Sequence, residues 1–110
     1  MSKGSATRQL LSLLLSALLL VSPGADLFGK HCVGCHVNGG NIIRRGQNLQ
    51  LKALARNGIF DAAGIAAIAT EGKGLMGGYG EVLGADGADA VSRWVWEQAE
   101  LGWPRNGEPA

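Results

Sequence analysis

The sequence predicts an all-α fold, and three of its features support that prediction. Apolar residues recur at helical spacing in several short segments, and most of these segments end at a glycine. Alternation of apolar and polar residues is rare and β-branched residues are few, so strands are not expected. At 110 residues the chain holds one domain at most. We therefore expect about four short helices joined by glycine-bearing loops.

Two helices are predicted in the middle of the chain. One covers residues 49–58 and ends at Gly58. The next covers residues 60–72, with Asp61 as its N-cap and Gly72 as its stop. Both segments place their leucines or isoleucines on one face, which should contact the core.

Two further helices are predicted on either side of this pair. The first covers residues 26–36, and the last covers residues 84–103, where Val91, Trp94 and Val95 fall near helical spacing. The start of the last helix lacks good capping residues. The stretches between the helices, residues 37–48 and the glycine-rich "GKGLMGGYG", are predicted to be loops.

Residues 1–24 have the features of a secretory signal peptide. Lys3 and Arg8 precede an apolar run of 12 residues, which is shorter than the roughly 20 that cross a bilayer. A cut after Gly24 or Ala25 fits the small-residue rule, although a cut a few residues earlier, an uncleaved anchor or a buried helix are alternatives. The domain is then expected over residues 25–103, with a flexible tail over residues 104–110.

The mature chain would carry 8 basic and 9 acidic side chains, which argues against nucleic acid as a partner. A domain this small normally needs a disulfide, a metal or a cofactor to complete its core. A disulfide between Cys32 and Cys35 would close almost no loop and would add little stability. Some other group is therefore expected.

That group is indicated by "CVGCH", residues 32–36, a C-x-x-C-H pattern typical of covalent haem c attachment. On a helix, Cys32, Cys35 and His36 would share one face, so that two sulfurs reach the porphyrin and the imidazole reaches the iron. A thioredoxin-like dithiol, a zinc site and a chance dithiol are the alternatives. The first lacks a preceding strand and the second lacks a second, separated ligand pair, whereas the chance dithiol stays open as an alternative.

Met76 is the candidate for the sixth iron ligand. It is the one methionine after the start residue, and it lies in the glycine-rich loop, where a thioether can reach the far face of a haem. Methionine is otherwise common as core filler. His31 is the other candidate, but its position next to Cys32 ties it to the proximal side.

These residues make the chain resemble a class I cytochrome c, and most closely the cytochrome c6 family, over residues 24–103. The resemblance rests on the haem motif, on "EGKGLMGGYG" and on "AVSRWVWEQA", together with Phe28, Asn41 and Tyr79 at family positions. It implies a small all-α fold of about four helices around one covalently bound haem. It also implies that His36 and Met76 are the axial ligands and that Phe28 packs on the last helix.

Three positions depart from the c6 pattern. Gly77 stands where the family usually has proline, which should loosen the loop of Met76. Ile68 replaces a glutamine that tunes the haem, as in the c6B and c6C variants, and this replacement implies a lower potential. Val82 replaces an arginine that the family uses to dock with photosystem I.

Further side chains are expected around the haem. Apolar packing is predicted for five of them: Val33, Leu49, Leu54, Ile68 and Leu75. Three cations are candidates for contacts to the propionates: Arg44, Arg45 and Lys73. Solvated surface charge is the alternative role for these cations.

The resemblance implies a soluble, monomeric one-electron carrier rather than an enzyme. It implies a membrane redox complex such as cytochrome b6f as donor and photosystem I or a terminal oxidase as acceptor. It places the mature chain in the thylakoid lumen or the periplasm, with no stable membrane insertion. The alternatives are a peroxidase or small-gas sensor with a labile sixth ligand, and a docking subunit of a larger redox complex.

Overall fold

The computed structural model describes residues 22–105, and this part of the chain contains four α-helices and no β-strand. The helices are α1 (Pro23–His31), α2 (Leu51–Arg56), α3 (Ala62–Glu71) and α4 (Gly80–Leu101), and two 3₁₀ turns (Val37–Gly39 and Arg45–Gln47) lie between α1 and α2. The all-α prediction is confirmed. Most of the predicted signal peptide and residues 106–110 of the predicted tail lie outside the described residues.

Helix α1 is shorter than predicted at its C-terminal end. Its N-cap is Ser22, whose Oγ accepts a hydrogen bond from the Ala25 amide at 3.2 Å, so the helix begins before the expected domain start at residue 25. It ends at His31, and the prediction that it reaches His36 is wrong. Residues 32–36 form turns in which the His36 amide still donates to the Cys32 carbonyl at 3.0 Å.

The cause lies in the local hydrogen bonds of the segment that follows the helix. The imidazole of His36 bonds to a loop carbonyl four residues later, and Gly34 is a weak helix former. After His31 the amides of Cys32 and His36 still donate four residues back, to Phe28 and Cys32, whereas the Val33 amide donates five residues back to Phe28, so the regular helical pattern stops there.

Helices α1 and α4 cross at close range. A Cβ added to Gly24 would lie 2.4 Å from the Ala90 carbonyl oxygen and 2.5 Å from Trp94 Cβ, so only glycine fits there. Further along α1, the ring centroids of Phe28 and Trp94 are 5.0 Å apart, which confirms the predicted packing of Phe28 on the last helix. This crossing fixes the direction in which the chain leaves α1 toward Cys32.

Helix α3 follows its sequence signals. The Asp61 carboxylate accepts from the Gly64 amide at 2.9 Å, and Gly72, with φ +83°, ends the helix. Both the predicted N-cap and the predicted stop are confirmed. The helix buries Ile65 and Ala69 against α4.

Helix α4 starts earlier than predicted and is broken near its beginning. A helical turn over residues 80–83 precedes the predicted start at residue 84, and Gly84 interrupts the helix with φ +67°. Leu83 is buried, and this burial holds the extra turn although Tyr79 provides no side-chain cap. Among residues 22–105, no helix is both long and apolar enough to span a membrane.

The core lies between α1, α3 and α4, with one leucine from α2. Its buried members are Phe28, Leu54, Ile65, Ala69, Leu83, Ala88, Val91, Val95 and Ala99.

Candidate haem site

An apolar cavity of about 770 Å³, including space open to solvent, lies between α4 and the loops that follow α1 and α3. We call it the inner cavity. Its apolar walls come mainly from Phe28, Leu49, Leu54, Ile59, Ile65, Ile68, Val91 and Val95. Its mostly apolar lining with a few polar groups is typical of a cofactor pocket.

A second cavity of about 670 Å³, the outer cavity, adjoins the first and is more polar. Six residues line both cavities: Cys32, His36, Asn41, Gln47, Lys73 and Met76. The outer cavity alone is lined by residues that include His31, Arg44, Leu75 and Tyr79. The two cavities therefore form one cleft that is apolar inside and polar at its mouth.

His36 is held with a defined tautomer. Its side chain is 9% exposed, and its Nδ1 lies 2.7 Å from the carbonyl oxygen of Gly40. Because a carbonyl can only accept, Nδ1 must carry a proton, and in the neutral form of the ring Nε2 then has a free lone pair. An imidazole in this state is ready to bind a metal.

The two cysteines lie at the edge of the same cleft and are unpaired. Cys32 is half-buried and lines both cavities, whereas Cys35 is exposed and lines the outer one. Burial raises the pKa of the Cys32 thiol above its usual value. Within residues 22–105, no group of three or more His, Cys, Asp or Glu side chains is arranged to hold a metal ion by itself.

Met76 lies across the cleft in a tightly closed turn. The Lys73 amide donates to the Met76 carbonyl at 2.9 Å, and the Met76 amide donates to the Lys73 carbonyl at 3.0 Å. The chain then returns to α3, where the Tyr79 amide donates to the Ala69 carbonyl at 2.8 Å. These bonds constrain the loop that Gly77 was expected to loosen.

The predicted packing residues fall into three groups. Phe28, Leu49, Leu54 and Ile68 line the inner cavity. Leu75 lines only the outer cavity and is 70% exposed. Val33, which was expected to pack on the haem, lines neither cavity, because the chain turns after His31 and leaves it exposed.

The polar residues expected near the haem also differ in whether they line the inner cavity, the outer cavity or neither. Asn41 organises its own loop: its Oδ1 accepts from the Arg44 amide at 2.7 Å, and its Nδ2 donates to the Gln47 carbonyl at 3.0 Å. Lys73 lines both cavities and Arg44 lines the outer one, whereas Arg45 lines neither. His31 lies at the mouth, with its ring centroid 6.2 Å from that of Tyr79.

Sequence reasoning missed the part that Trp103 plays. Its indole packs against the rings of Phe28 and Trp94, with distances between ring centroids of 5.4 and 5.7 Å, respectively. Its Nε1 donates to the Leu49 carbonyl at 3.0 Å. A tryptophan directly after the glycine that ends a helix was the available signal, because such a turn brings the chain back onto the core.

The residues present fit a haem. One neutral imidazole nitrogen, one thioether and two thiols border a single cleft, and the rest of its inner wall is apolar. Histidine, methionine and paired cysteines are the groups that hold haem c. The polar mouth suits the charged propionates.

Comparison with known proteins agrees with this fit. The sequence model of the family described as cytochrome c oxidase, cbb3-type, subunit III matches residues 20–95. A protein named cytochrome c6-like, from Nostoc sp. (strain PCC 7120 / SAG 25.82 / UTEX 2576), is 48% identical over 80 residues, which are 73% of this chain and 72% of the relative. The chain belongs to the cytochrome c6 family.

Two solved structures of c6 cytochromes match this c6-family chain. Cytochrome c6B from Synechococcus sp. WH8102 is 53% identical, with a TM-score of 0.74, over 77% of this chain and 97% of that one. Cytochrome c6C from Synechococcus sp. PCC 7002 is 47% identical, with a TM-score of 0.69, over 71% and 95%. The fold is therefore that of a class I cytochrome c.

Membership confirms both the resemblance and the cofactor predicted from the sequence. The c6 family binds one covalently attached haem c, and Cys32, Cys35 and His36 of this cytochrome match its attachment motif.

Proposed function

We propose that the protein is a one-electron carrier in which His36 and Met76 are the axial ligands and Cys32 and Cys35 hold the haem by thioether bonds. The observation that carries this proposal is that His36 and Met76 line the same apolar cavity, with Nδ1 of His36 committed to a carbonyl. When bound, the haem supplies an iron that changes by one electron.

The chain's own residues do three things for this chemistry. The Gly40 carbonyl fixes the orientation of His36, and the paired backbone bonds of Lys73 and Met76 hold the turn that presents the thioether. The apolar inner wall excludes water, which keeps reorganisation small when the charge changes. The polar mouth, where Cys35 is exposed, is the side on which a redox partner docks.

Ligation can be tested by absorption spectroscopy of the holoprotein. The ferric protein should show the weak far-red sulfur-to-iron band and a low-spin spectrum, and Met76→Ala should abolish the band. Leu75→Ala is the matched control, because this neighbour in the same turn is 70% exposed and should leave the band intact. A high-spin ferric spectrum in the unaltered protein would contradict the carrier function and favour binding of peroxide or a small gas.

The peroxidase alternative has little support in the described lining of the inner cavity. His36 is its one histidine and no arginine borders it, whereas His31 and Arg44 lie at the polar mouth of the cleft. Peroxide chemistry at a haem normally depends on polar groups on the distal side that donate hydrogen bonds and protons.

A second candidate function, a subunit of an oxidase complex, is favoured by the family model described as a subunit of cytochrome c oxidase. A carrier should sediment as a free monomer in extracts at physiological salt. A subunit should co-sediment with a membrane oxidase and stay with it. Sedimentation of the natively expressed protein distinguishes the two.

We further propose export to the thylakoid lumen or the periplasm, with a complex such as cytochrome b6f as donor and photosystem I or a terminal oxidase as acceptor. The apolar segment of residues 10–21 supports export, and the c6 relatives support the electron route. Val82, which is 62% exposed and stands where the family has an arginine used in docking to photosystem I, weakens the case for photosystem I as the main acceptor. N-terminal sequencing of the native protein tests the signal peptide, and oxidation kinetics with each acceptor test the route.

A further inference from the structure

Trp103 lies just beyond α4, in a backbone conformation that its environment must hold in place. Gly102 and Trp103 have φ values of +78° and +55°, so two successive left-handed residues turn the chain back over the core. Bulky residues rarely adopt positive φ, and they do so where packing and hydrogen bonds over-determine the position. The indole packs on Phe28 and Trp94 and is thereby fixed.

The other side of the indole covers the loop that follows the haem motif. A Cβ added to Gly39 would lie 2.4 Å from Cδ2 of Trp103, so the ring rests directly on the backbone of Gly39. The indole Nε1 donates to the Leu49 carbonyl at 3.0 Å, and the Leu49 amide donates to the Gly39 carbonyl at 2.7 Å. Trp103 therefore clamps two chain segments, those of Gly39 and Leu49, together.

Gly39, in one of the two segments that Trp103 holds, is adjacent to the residue whose carbonyl orients His36. The Gly39 amide donates to the His36 carbonyl at 3.0 Å, and the following residue, Gly40, accepts from Nδ1 of His36 at 2.7 Å. We propose that Trp103 is a positioning residue for His36, because it holds the Gly39–Gly40 backbone where the Gly40 carbonyl meets the imidazole. The inference rests on the proposed function, since it takes His36 as an iron ligand.

The expected consequence is a change in the electronic character of the ligand. An Nδ1–H group that donates to a carbonyl makes the imidazole a stronger electron donor, which stabilises ferric iron and lowers the reduction potential. If the loop of Gly39 and Gly40 loosens, the hydrogen bond weakens and the potential should rise.

The test compares Trp103→Phe and Trp103→Ala with the unaltered holoprotein by two measurements. Potentiometry should show a rise in midpoint potential, larger for alanine. Proton NMR of the ferrous protein in D₂O should show faster exchange of the His36 Nδ1 proton, by about fivefold to tenfold for alanine, the factor that corresponds to one ordinary hydrogen bond. The phenylalanine variant keeps an aromatic ring in the cluster and removes the hydrogen bond to the Leu49 carbonyl. It can therefore be used to test the proposal even if the alanine variant fails to fold.

Trp94→Phe is the matched control. It trims an indole of the same aromatic cluster but leaves a ring beside Trp103 and leaves the Trp103 bond to Leu49 in place, so it should lower stability while shifting both measurements less than Trp103→Phe does. The proposal is overturned if Trp103→Phe leaves potential and exchange unchanged, or if Trp94→Phe shifts both equally. If either of these results is found and the unaltered holoprotein has a normal low-spin spectrum, the proposed function still stands. A high-spin spectrum in the unaltered protein overturns both.

Discussion

Gly78 offers a sharp test of how the Met76 loop is held. A Cβ added at this position would lie 2.5 Å from the Thr70 carbonyl oxygen and 2.8 Å from the Glu71 carbonyl carbon. Both atoms belong to the backbone at the end of α3, so they cannot swing aside as a side chain would. At Gly77, one residue earlier, an added Cβ would meet nothing within 4 Å, and φ lies outside the left-handed region.

The size of the effect follows from these contacts. Forcing a methyl group into such a space costs about 1–3 kcal/mol in free energy of unfolding. Gly77→Ala should change that free energy by less than about 1 kcal/mol, with a slight gain because alanine restricts the unfolded chain. Because Gly78 is two residues from Met76, its displacement should also weaken the far-red sulfur-to-iron band.

The assay is guanidinium unfolding of the two ferric holoproteins, with the far-red band recorded before denaturant is added. The Gly78→Ala protein should unfold at lower denaturant and show a weaker band, whereas the Gly77→Ala protein should unfold at the same or slightly higher denaturant than the unaltered one and show the same band. Equal stability and equal bands for the two variants would refute the idea that backbone packing on α3 holds this loop.

Two further predictions concern buried positions. Within the described part of the chain, the Ser92 hydroxyl is buried without a hydrogen-bond partner, so Ser92→Ala should raise the free energy of unfolding by about 1 kcal/mol. A loss of stability in denaturant titrations would show that the hydroxyl is satisfied. Ile68 lines the inner cavity with Met76, so Ile68→Gln brings an amide donor near the thioether and should raise the midpoint potential. Potentiometry of this variant is compared with that of Ile68→Leu, which keeps an aliphatic side chain. Equal midpoint potentials in the two variants would show that Ile68 is not the cause of a lower potential.

The sequence predicts helix ends well where one side chain or one glycine decides them. Asp61 and Gly72 bound α3 as expected because capping is a local interaction. The predicted end of α1 and the predicted start of α4 were wrong, because contacts outside each helix, one in the following loop and one in the core, decide them. His36 reaches the Gly40 carbonyl, and Leu83 is anchored by the core. Neither contact has a local sequence signal.

The same distinction applies to the haem site. Cys32, Cys35, His36 and Met76 stand out because such residues are rare in this chain and carry distinctive chemistry. The walls of the cavity depend on how the chain turns between elements, so sequence spacing alone could not show that Val33 lines neither cavity. Trp103 was missed because its partner, the Leu49 carbonyl, is a backbone atom far away in the sequence.

The crossing of α1 and α4 also determines when this fold can form. Residue 24 meets residue 90, and residue 28 meets residue 103, so the core cannot close until the last helix has been synthesised. Closing loops of this length is entropically costly and slow. During that interval Cys32 lies on an open chain, without the burial that raises its thiol pKa in the fold. We expect the long separation of the two helices to leave time for both thioether bonds to form before packing encloses the site.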